Sequence, residues 1–113
     1  MTDEDLQRLF VEDNNKYFDG KLPHTAVRWK KINPSQAAEC VYFTDKTYTI
    51  HISPRIKRFG ATAYAHECLL HEMCHLKLMA VDKKRTSISC GHGRLFQKEM
   101  KKLANKGAFN GLW

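Results

Sequence analysis

No stretch of this 113-residue chain is apolar for anything near the ~20 consecutive residues that a membrane-crossing helix requires. The N-terminus, Met1-Thr2-Asp3-Glu4-Asp5-Leu6, is acidic and lacks the basic-then-apolar order of a secretory signal. There is no internal repeat, no low-complexity run and no candidate linker, so one domain over residues 1–113 is expected. Cysteines stand at 40, 68, 74 and 90 but never as a Cys-x-x-Cys pair. Without a secretion signal they are expected to be free thiols, mostly buried, rather than a disulfide framework. These absences exclude a membrane-spanning protein and a secreted disulfide scaffold. They point to the cytoplasm or the nucleoid rather than secretion, and a monomer is expected.

What is present is the composition of an ordinary globular domain, 42% apolar and 27% charged. The net charge of +7 is unevenly spread. Residues 1–76 carry ten basic and ten acidic side chains. Residues 77–113 carry Lys77, Lys83, Lys84, Arg85, Arg94, Lys98, Lys101, Lys102 and Lys106 against only Asp82 and Glu99. A one-sided positive field attracts polyanions such as nucleic acid, although a lysine-rich face can also serve solubility alone.

The pattern reads as α+β. Thr2 can cap a helix whose first turn holds Asp3, Glu4 and Asp5, with Leu6, Leu9, Phe10 and Tyr17 on one face as far as about Phe18. Asp19-Gly20 and Pro23 end it. Three strands follow. Val27, Trp29 and Ile32 suggest the first, Cys40–Thr44 the second and Thr47–Ile52 the third, with Asp45-Lys46 as a two-residue hairpin loop. A long helix is expected over about 61–80, with Leu69, Met73, Leu76 and Ala80 as its apolar stripe. His71 and His75 lie on roughly the opposite side, near Tyr64, Cys68 and Leu78. A last helix over about 94–106 turns Phe96, Met100 and Leu103 inward and Arg94, Lys98, Lys101 and Lys102 outward, and Gly107 closes it. The tail after Gly107 is expected to fold back on the body.

His71-Glu72-Met73-Cys74-His75 has the spacing HExxH. Residues four apart on a helix project side by side, so two imidazoles can grip one Zn²⁺. Glu72 lies a fifth-to-third of a turn round from His71, where its carboxylate can act on water beside the metal as general base. A catalytic zinc usually takes three protein ligands, and His92, between Gly91 and Gly93 ahead of the last helix, is the best third candidate. His66 falls on another side of the helix and is expected to pack or face solvent. His51 reads as a strand-surface histidine with the cleft as its alternative. Cys74 and Cys90 read as free thiols with ligation as their alternative, and Glu67 as a surface carboxylate with contact to a metal ligand as its alternative.

With these residues in view, the chain resembles the SprT-like family of zinc metallopeptidase domains. The matches run in order: Tyr17-Phe18-Asp19-Gly20-Lys21-Leu22-Pro23, then Trp29, Ile50-His51-Ile52-Ser53, Leu70-His71-Glu72-Met73-Cys74-His75, and Gly91-His92-Gly93-Arg94-Leu95-Phe96. The resemblance implies a zincin-like fold, one zinc on His71, His75 and His92, and Glu72 as the catalytic residue. It also implies a protease acting on protein substrates, including proteins crosslinked to DNA, and hence a part in DNA repair at the nucleoid. The DNA contacts would come from Lys83, Lys84, Arg85, Arg94, Lys98, Lys101 and Lys102. The sequence ends at Trp113 without the Cys-rich zinc ribbon of many relatives, so a minimal catalytic domain is expected. The competing expectation is a non-catalytic nucleic-acid-binding domain in which the metal is structural.

Overall fold

The computed structural model describes residues 1–43, 45, 47–59, 62–82 and 93–110. Helix α1 spans Asp3–Tyr17 and starts at a reciprocal capping box. The Thr2 hydroxyl accepts from the Asp5 N–H, and the Asp5 carboxylate accepts from the Thr2 N–H at 2.8 Å. Acidic Asp3, Glu4 and Asp5 sit where the helix dipole is positive. The helix stops as its turn residues dictate. Asp19 and Gly20 take φ of 55° and 70°, and the Phe18 and Gly20 N–H groups both return to the Asn14 carbonyl. The Asn14 side chain then pins Leu22 through both its carbonyl and its N–H.

Strands β1 (Ala26–Trp29), β2 (Ala38–Tyr42) and β3 (Tyr48–Ile52) form one sheet in the order β1-β3-β2. β1 runs parallel to β3, pairing Val27 with Ile50, while β2 is antiparallel to β3, pairing Glu39 with His51. Three details depart from the sequence reading. β1 ends at Trp29 and leaves Ile32 outside it, and β2 occupies Ala38–Tyr42 rather than Cys40–Thr44. Phe43 donates to the Thr47 carbonyl at 2.9 Å, and five residues, 43–47, lie between the ends of β2 and β3 instead of two. The Asp45 carboxylate takes the Thr47 N–H and hydroxyl, a side-chain turn that needs no glycine.

A 3-10 turn over Pro54–Phe59 leads to helix α2, Thr62–Leu76. The helix widens into a π-helical turn over Lys77–Val81, where the Asp82 N–H bonds the Lys77 carbonyl five residues back. Helix α3 spans Arg94–Asn105 and closes at Gly107, whose φ of 81° suits a residue without a Cβ. α1 packs on β1, α2 crosses β2 and β3, and α1 and α3 both pack on α2.

Between them lies the core, in which Leu6, Ile50, Ile52, Leu69, Leu70, Met73 and Leu76 are fully buried. Truncating one such leucine to alanine costs roughly 2–5 kcal/mol. The stripe Leu69, Met73 and Leu76 is as expected, with Ala80 half-buried at its end. Ala108 and Phe109 are buried, so the start of the tail does fold back, and residues 111–113 lie outside the described set. His66 finds a partner the sequence did not suggest: its Nε2 is 2.6 Å from the buried Asp13 carboxylate, clasping α2 to α1. No helix among the described residues is long and apolar enough to cross a membrane.

Candidate metal centre

Helix α2 is buried on one side and borders a cleft on the other. That cleft, about 540 Å³, lies between α2 and the segment from Ser35 into β2. His71, Glu72 and His75 line it, and their ligand atoms all fall within 4.8 Å of one another. His71 Nε2 stands 4.0 Å from Glu72 Oε2, and the two imidazole rings are 5.1 Å apart, edge to face. Two imidazoles and a carboxylate at such separations suit a borderline cation, zinc or a neighbouring first-row ion.

Glu72 is only 7% exposed. Burial, and after it the charge of Glu39, push its carboxyl up to about 7 from an ordinary carboxylate value. Glu39 is the residue that sequence reasoning missed. It lines the cleft from β2, and its carboxylate is held by His51 Nδ1 at 2.8 Å. His51 is therefore not a surface histidine. It is buried in the sheet beside Glu39, and Glu39, not His51, presents a polar group to the cleft. The signal was the register, since the two residues are directly paired across β2 and β3.

Cys40 and Cys68 also line the cleft, and burial pushes their thiols up to about 12 and about 11, so both hold their protons. Cys74 is fully buried with its sulfur 3.6 Å from that of Met100, on the core side of α2. Cys40, Cys68 and Cys74 are free, and Cys90 lies outside the described residues. Glu67 lines the cleft rather than the outer surface.

His92, Lys83, Lys84 and Arg85 fall outside the described residues. Arg94, Lys98, Lys101 and Lys102 are exposed on α3, as expected. Lys77 is not part of that face: it binds Glu99 at 2.8 Å and Asp82 at 3.2 Å. Inside α3, Phe96 packs on both imidazoles, its ring centroid 4.7 Å from His71 and 4.3 Å from His75.

A small α+β domain whose central helix aims two imidazoles and a buried carboxylate into a cleft beside the sheet is of the zincin-like type. The chain belongs to the SprT-like family, whose family model matches residues 6–111. It is 33% identical over 102 residues to the human DNA-dependent metalloprotease SPRTN, covering 88% of this chain and 20% of that protein. The zebrafish (Danio rerio) DNA-dependent metalloprotease SPRTN is 28% identical over 107 residues, covering 94% and 16%. The Caenorhabditis elegans DNA-dependent metalloprotease dvc-1 is 28% identical over 110 residues, covering 94% and 29%. The chain thus spans less than a third of the length of these relatives.

Proposed function

We propose that this domain is a zinc-dependent endopeptidase acting on proteins associated with, or crosslinked to, DNA. The observation that carries the proposal is the convergence of His71, His75 and Glu72 in one open cleft, with ligand atoms within 4.8 Å. His71 and His75 would hold the ion, with His92 as third protein ligand and Glu72 left free of it. Zinc in that position supplies a Lewis acid that polarises a carbonyl and brings the pKa of water down towards ~7.

The rest falls to the chain. Glu72 takes the proton of the attacking water at its carboxylate and returns it to the departing amine. Substrate can be aligned by β2, the outer strand of the sheet beside the cleft. Phe43 bonds Thr47 and Ser53 bonds Ala37, so in an alternating ladder residues 37, 39, 41 and 43 face β3. Ala38, Cys40 and Tyr42 then turn their N–H and C=O groups outward, where an extended peptide can pair with them and pass alongside α2. Main-chain pairing makes few demands on sequence, in keeping with a protease for varied proteins.

The relatives' names and the exposed Arg94, Lys98, Lys101 and Lys102 support DNA association. Phosphate neutralisation of this kind is salt-sensitive and largely independent of base sequence. Zinc-loaded Glu72→Gln, assayed on a DNA-bound protein, tests the reading. Cleavage should vanish while one zinc per chain remains, and persistent cleavage overturns the mechanism. The basic α3 face also favours a second reading, a non-catalytic nucleic-acid-binding domain with a structural metal. Structural zinc sites are closed and cysteine-rich, whereas these donors border an open cleft. Wild-type protein that binds DNA and zinc yet cleaves nothing would favour that second reading.

A further inference from the structure

The side chains of His71 and His75 leave α2 with soft χ2 torsions, so something must fix their ring planes if they are to meet one ion. In many metal sites that role falls to hydrogen bonds on the second ring nitrogen. Here a third ring from another helix lies against both. Phe96 is 3% exposed and stacks on His75 at 4.3 Å with planes 21° apart. The same ring meets His71 at 4.7 Å and 59°. His71 and His75 are themselves edge to face, 65° apart, so each of the three rings in this cluster touches the other two and turning any one disturbs them.

From this cluster we infer that Phe96 is a positioning residue for the metal ligands. It sets the planes of both imidazoles, and it docks the first turn of α3 onto them. The docking has a second effect. Gly93 is the N-cap of α3, and His92 is bonded to it, so the ring that orients the first two ligands also anchors the helix adjoining the third candidate. Glu99, one turn further along α3, reinforces the same joint through Lys77 on the far side of His75. The Phe96 ring carries no atom that can ligate a metal or move a proton, so its effect runs through the imidazoles. Its work is to make the site rigid before an ion arrives.

The inference rests on the metal-site reading, and the test separates the two. Phe96→Leu keeps an apolar filler but removes the flat face, Phe96→Tyr restores a ring, and Leu103→Val loosens α3 without touching an imidazole. Each protein is stripped of metal, checked for cooperative melting, and titrated with zinc against a chromophoric chelator; cobalt-substituted samples give the visible ligand-field spectrum. Phe96→Leu should bind zinc about 10–100-fold more weakly than wild type and show an altered cobalt spectrum. Phe96→Tyr should recover most of the affinity, and Leu103→Val should stay within about threefold of wild type.

Zinc affinity and cobalt spectrum unchanged in Phe96→Leu would overturn the inference and leave the metal site standing. Equal weakening in Leu103→Val would also overturn it, because the effect would then be loose packing of α3 rather than ring orientation. A wild type that binds neither metal removes the site itself, and the inference with it. Should Phe96→Leu fail to melt cooperatively, Phe96→Met carries the same comparison with the same outcomes.

Discussion

Glu72 and Glu99 are buried almost equally, at 7% and 6% exposure, yet their surroundings are opposite. Glu99 sits between α2 and α3 with Lys77 at 2.8 Å and Lys102 at 3.5 Å. Glu72 opens on a cleft where no lysine or arginine is found among the described lining residues, and where Glu39 adds a second negative charge. A buried carboxylate that serves the fold is given its cation by the chain. The one in the cleft is given none among the described residues, which is the arrangement expected where a bound ion and a reacting proton complete the electrostatics. Among the histidines, His66 and His51 are engaged by Asp13 and Glu39, while His71 and His75 line the cleft with Glu72 and have the Phe96 ring packed against them.

The largest effects should come from the cleft. His71→Ala and His75→Ala should each reduce zinc, measured by elemental analysis after dialysis, from one per chain to a trace, and peptidase activity should go with it. His92→Ala should do the same if that residue is the third ligand; undiminished zinc would remove it from the site. Glu72→Gln should leave zinc in place and lower kcat by about 10²–10⁴-fold in a protease assay.

The clasp should respond in stability rather than chemistry. Glu99→Ala removes the nearer of the two carboxylates on Lys77 and leaves it Asp82 at 3.2 Å, so it should cost about 1–2 kcal/mol in urea unfolding. The contrast sharpens in metal-stripped protein. The Glu72 carboxyl lies above its unfolded value, so its ionised form weighs against folding. That penalty is absent near pH 4, grows between about 4.5 and 7, and is complete at pH 8. Metal-stripped Glu72→Gln should therefore melt above metal-stripped wild type at pH 8 and level with it at pH 4. An equal shift at both pH values would mean that ionisation is not the cause. Smallest of all, Lys98→Ala with Lys101→Ala should leave melting nearly unchanged. Gel-shift titrations of that double variant should show the log–log salt slope of DNA binding reduced by about 2.

Much of this was legible without coordinates because it is local. The i, i+4 imidazoles of α2, the Thr2 cap, the Asp19-Gly20 stop and the two faces of α3 all depend on neighbours within a turn or two. What escaped is non-local. The Glu39–His51 pair depends on strand register, the Asp13–His66 clasp joins residues 53 apart, and the parallel β1–β3 pairing reflects the whole topology. Phe96 could be placed on an inward face by periodicity. That its ring meets imidazoles rather than aliphatic core follows only from how α3 crosses α2. For the same reason Lys77 could only be counted in the basic excess of residues 77–113, its partner Glu99 being 22 residues away on another helix.

The π-helical turn at Lys77–Val81 can be understood as a phase shift in the chain. An α-helix advances about 100° per residue, so one residue accommodated in a wide turn re-aims everything after it while leaving everything before it in register. His71 and His75 keep their α-helical spacing, and Asp82 is brought to within reach of the Lys77 side chain. Deleting a single residue from that turn, Ala80 for instance, would restore the ordinary α-helical phase and rotate the exit of α2 by about a quarter-turn. The two histidines would be untouched in sequence and local geometry, yet the seat of Phe96 against their rings would be thrown out of alignment.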